Sequence, residues 1–190
     1  MNHDKAPEQV KPEDLRRFVL EENSEALLRV ALSQGLPWSK RSDAAHHLVA
    51  LVDTPRENEA ITGLEYIRDK DPEKDAREDS AVFLEMIRFY SGRSGNPDFL
   101  LKALKGDALP AESFGAESGS VPDSMEYRTA AAMLLEFKHA AGPRAEEIKR
   151  AVDDFFSRDT QNRALDAKTV FDPTLRTLLK GLRHNKPDES

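Results

Sequence analysis

The chain has no cysteine. That removes disulfides, thiolate catalysis and cysteine-ligated zinc or iron–sulfur centres from consideration. It also lacks a long apolar run. The longest unbroken one, Ala130 to Leu135, is far short of the ~20 residues that a helix needs to cross a membrane. The N-terminal residues MNHDKAPEQVK are polar and carry no apolar signal-peptide core, so the expectation is a soluble, cytoplasmic protein. Tryptophan occurs once and histidine five times. Glycine-rich phosphate loops are missing: Gly92-Arg-Ser-Gly95 lacks the Walker spacing and follows a helical pattern. Gly115-Ala-Glu-Ser118-Gly119 has the wrong spacing for a nucleophile elbow. Positive charge is in deficit too. A net charge of −7 over 190 residues argues against a general phosphate-backbone binder, which needs a basic surface.

What is present reads as helix. Hydrophobic residues make up 38% and charged residues 33%, enough apolar material for a core under a strongly charged surface. No segment of useful length alternates with period two. Prolines 12, 55, 72, 97, 143 and 173 fall at the starts of apolar stripes with helical spacing, where a missing N–H costs nothing. The chain is therefore expected to be all-α, an irregular helical bundle of about eight to ten short helices. The alternative is a degenerate helical-repeat solenoid, against which the spacings Pro55–Pro72 and Pro72–Pro97 settle to no common period.

The organising stretch is Asp71 to Tyr90. Its first half is charged almost throughout, and its second half, Val82 to Tyr90, is apolar except at Glu85 and Arg88. Those two are three residues apart and share one narrow face, so the helix is expected to start in water and end buried, with one wet strip. Asp71 is expected to cap it, and Gly92 and Gly95 to end it.

Other signals punctuate the chain. Gly35 reads as a left-handed stop for the helix carrying Leu27, Leu28, Ala31 and Leu32. Ser42 reads as the cap of the next. Thr54-Pro55-Arg56-Glu57 and Asp123 with Glu126 both read as capping boxes. Gly63 lies inside a helical pattern and suggests tolerance or a close helix crossing. Residues 1–10 read as a disordered lead and 186–190 as a disordered tail, with one domain over 11–185. The segment 107–123, rich in Gly, Ser, Glu and Pro, reads as a long irregular loop.

Two acid–histidine spacings suggest metal, Asp43 with His46 and Glu136 with His139, and Glu85 could complete a carboxylate set. Neither pair falls on the core-facing stripe of its helix, so both read better as exposed polar residues. Adjacent His46 and His47 diverge by about 100° on a helix and cannot chelate together; one partly packed ring and one exposed ring are expected.

The function expected is a protein-interaction module working without a cofactor: an adaptor, regulator, chaperone-like protein or inhibitor. A small metal-dependent all-α enzyme and a nucleic-acid-associated regulator are the alternatives. Trp38, in the corner Leu36-Pro37-Trp38, reads first as a plug sealing a helix junction, with an exposed hot spot as the competing role. On that second role it joins Phe114, the lone aromatic of the long loop, and the basic strip Arg176, Lys180 and Arg183 as candidate partner-binding residues.

Overall fold

The computed structural model describes residues 5–106 and 125–158. The loop expected at 107–123, the Asp123–Glu126 cap, Phe114, the helix opened by Pro173, its strip Arg176, Lys180 and Arg183, and the tail 186–190 lie outside the described residues. Among those described, the protein is all-helical. Eight α-helices run in order: α1 Pro12–Leu20, α2 Ser24–Ala31, α3 Trp38–His47, α4 Glu57–Lys70, α5 Lys74–Tyr90, α6 Pro97–Lys105, α7 Met125–His139 and α8 Ala145–Arg158. Short 3₁₀ turns occupy Pro7–Gln9 and Leu48–Leu51. The first of these falls in the expected lead-in, where Val10 also packs against the core and Lys5 pairs with Asp14.

The helices pack against one another as a bundle. The 3₁₀ turn Leu48–Leu51 sits in the middle and touches α1, α2, α4, α5 and α7 as well as α3. Every residue from Arg41 to Val52 is buried. Helical spacing marks Ala45, Leu48, Leu51 and Val52 as inward, and they are buried, but it does not reveal burial of Arg41, Ser42, Asp43, His46 and His47, because a polar residue in a helical pattern reads as surface. α5 behaves as expected: Phe83, Leu84, Met86, Ile87, Phe89 and Tyr90 are buried, while Glu85 and Arg88 are exposed. Its end joins an aromatic cluster with Phe99 of α6 and Tyr127 of α7, and the Tyr90 hydroxyl donates to the Tyr127 carbonyl at 2.7 Å. Burial raises both phenols, Tyr127 to about 12. α7 is a second all-round buried helix over Ala130–Leu135, where three alanines let α6 approach closely.

Several helix ends differ from expectation. α3 begins at Trp38, not after Ser42, which lies buried inside it. Pro37 already holds the extended backbone that precedes a helix, so no later cap is needed. Gly35 is not left-handed; α2 closes at Leu32 in right-handed geometry, and among the described residues the left-handed glycines are Gly92 and Gly106. Pro55, Pro72 and Pro143 each stand two residues ahead of the first helical residue. The box at Thr54 is displaced accordingly. The Thr54 hydroxyl takes the Arg56 N–H rather than that of Glu57, and the Glu57 carboxylate reaches past Thr54 to the N–H of Asp53. Asp71 is not the N-cap of α5, because the helix starts at Lys74 with Glu73 as its N-cap; the Asp71 carboxylate accepts the Glu73 N–H at 3.1 Å as well as the Arg41 guanidinium. Asn96 and Gly106 cap α6, which starts at Pro97 as expected.

Gly63 marks a close crossing. A Cβ there would lie 2.0 Å from Leu28 Cδ2, so a side chain at this position requires the Leu28 side chain to move.

Candidate functional site

The helix ends sort into two groups. At one end, Arg41 gathers the turns between α2 and α3 and between α4 and α5. Its guanidinium donates to the carbonyls of Ala31 and Leu36 at 2.9 Å, to both Asp71 oxygens at 2.7 and 3.0 Å, and to Glu73 at 3.1 Å. Arg41 and Asp71 are both buried. Burial alone would raise the Asp71 carboxyl, but the hydrogen bonds and charge of Arg41 outweigh it and hold the group below the ordinary carboxylate value.

Trp38 belongs to this assembly. It is 4% exposed, its indole N–H donates to Asp79 at 2.8 Å, and the Arg41 guanidinium lies over its ring at 5.1 Å. Of the two roles weighed for Trp38, the structure supports the core plug, and the residue leaves the list of partner-binding candidates. Its fluorescence is expected to be blue-shifted and resistant to acrylamide; red-shifted, readily quenched emission would place the ring in solvent.

The other end carries the exposed polar features. Here α1 ends with Glu22 in the left-handed region at φ 49°, and the N–H groups of Glu22 and Asn23 bond back to the carbonyls of Val19 and Phe18. This is a Schellman closure made with glutamate where glycine is the usual choice. Asn23 then caps α2 by accepting the Ala26 N–H at 3.0 Å. Ser24 donates to Glu59 on α4, and Arg56 pairs with the same carboxylate at 2.7 Å. Between these elements opens a cleft of about 960 Å³, walled by Glu21, Glu22, Glu25 and Glu59 against Arg29 and Arg56, with Leu28 among its lining residues. Leu20, adjacent to Glu21, is 66% exposed. The acids have a local reason to be here: Glu25 and Glu59 sit in the first turns of α2 and α4, where negative charge complements the helix dipole.

Beside the cleft, three turns are tied together. Asp53, also left-handed at φ 55°, accepts the N–H groups of Gly92 and Ser94 and the Ser94 hydroxyl, at 2.7, 3.2 and 2.6 Å. Partial burial opposes ionisation of Asp53, but these bonds and the charge of Lys138 leave its carboxyl below the usual value. Lys138 donates to the Val52 carbonyl. Burial pulls its amine below the ordinary lysine range despite the nearby charges of Asp53, Glu22 and Glu57. His139 places Nε2 3.0 Å from the Ser94 carbonyl oxygen. Asp53→Ala, which removes all three bonds to the 92–94 turn, is expected to cost about 1–3 kcal/mol in urea denaturation. Asp53→Asn keeps an acceptor and tolerates the left-handed backbone, so it should cost less.

The acid–histidine pairs do not assemble. Glu136 pairs with Arg16 while His139 turns to Ser94. Asp43 and His46 are buried, contrary to the exposed placement expected of that pair, and His47 is buried as well. His46 stacks on Phe83 at 5.1 Å, and His47 packs against Phe137 with Nδ1 2.7 Å from the Asp43 carbonyl oxygen. Both rings face the neighbouring helices α5 and α7, so the expected split between a packed and an exposed histidine does not occur. Among the described residues, no three His, Cys, Asp or Glu side chains converge in a way that could hold a metal ion. No described helix is long and apolar enough to cross a membrane.

The cleft escaped the sequence reading because its walls come from two segments about thirty residues apart. The one legible signal was the charge density of Glu21-Glu22-Asn23-Ser24-Glu25, which breaks an otherwise helical pattern. Comparison with protein-family models, with curated proteins and with solved structures finds no match to this chain.

Proposed function

We propose that this chain is a protein-interaction module that docks a short basic segment of a partner protein at the cleft between the α1–α2 turn and the start of α4. The observation that carries the reading is the cleft itself: an open polar groove in which carboxylates outnumber guanidiniums, with Leu28 in its lining. Glutamate side chains at its rim favour lysine and arginine on the partner, and Leu28 offers contact to one apolar side chain. Charged walls of this kind contribute more to encounter rate and selectivity than to raw affinity. The proposed module uses no cofactor.

The test is calorimetric titration of the full chain with lysine- and arginine-rich peptides that contain one leucine or phenylalanine, repeated on Glu21→Lys/Glu25→Lys. Both positions are exposed, so the variant should fold normally. The expected result is binding that weakens at least tenfold in the variant and falls with added salt. Affinity that is unchanged by the charge reversal, or absence of binding to every basic peptide, would overturn the reading.

A further inference from the structure

We draw no further inference here: the strongest candidate, the carboxylate-rich cleft between the α1–α2 turn and the first turn of α4, belongs to the site already described, and its acids complement two helix N-termini with no second feature that points to a particular ligand.

Discussion

Arg41→Ala is expected to destabilise the fold by about 3–5 kcal/mol, because it strands the buried Asp71 carboxylate without its counter-charge. The loss also frees the Ala31 and Leu36 carbonyls and removes the cation from the face of Trp38. The pair is not for that reason the best solution for stability. Desolvating two ions is costly, and replacing both by apolar residues of similar volume is often neutral or favourable. Arg41→Met combined with Asp71→Leu should therefore be less destabilised than either single change. Chemical denaturation of the four proteins gives the coupling directly. If the single Arg41 variant melts like the wild type, the assembly at that end is not holding the turns together.

Acid should act on the same pair with a defined sign. The folded-state pKa of Asp71 lies below its unfolded value. Its contribution is thus complete above the unfolded carboxylate value of about 3.9 and is lost as pH falls through the lower folded value. Asp14 and Asp53 are shifted in the same direction and add to this acid-side loss. In Arg41→Met/Asp71→Leu the decline of stability below about pH 4 should be shallower than in the wild type.

The second large effect is expected at Phe83. This ring is 1% exposed and stacks on His46, so it joins α5 to the buried α3. Phe83→Ala should cost about 3–5 kcal/mol, from lost transfer energy and the cavity left behind. Asp75→Ala, at an exposed position of the same helix, should change stability by less than about 0.5 kcal/mol. Equal effects at the two positions would mean that the buried half of α5 is misplaced.

The contrast between those two positions was readable in advance. Along α5, apolar residues fill all but one narrow face, and two charged residues three apart mark that face; burial follows from spacing alone. The start of α6 was readable too, from Pro97. α3 was not readable in this way. Its polar residues are buried because their partners come from elsewhere: Asp71 lies 30 residues beyond Arg41, and Phe83 lies beyond His46 on another helix. Periodicity records what one segment buries, not which distant charge makes burial of an arginine affordable. α7 was half legible: Ala130 to Leu135 stands out as the longest apolar run, and every one of those residues is buried. The candidate site suffered most, since a cleft walled by two segments has no signature in either one. The acid–histidine spacings, by contrast, were visible but carried no geometry: Glu136 and His139 turn to different neighbours.

The crossing at Gly63 bears on the cleft mechanically. The Leu28 side chain fills the space that a Cβ at position 63 would take, and the same leucine is among the residues lining the cleft. A side chain added at position 63 must displace that of Leu28. An interior position is thus coupled to an exterior groove through one shared leucine, without touching anything that enters the groove.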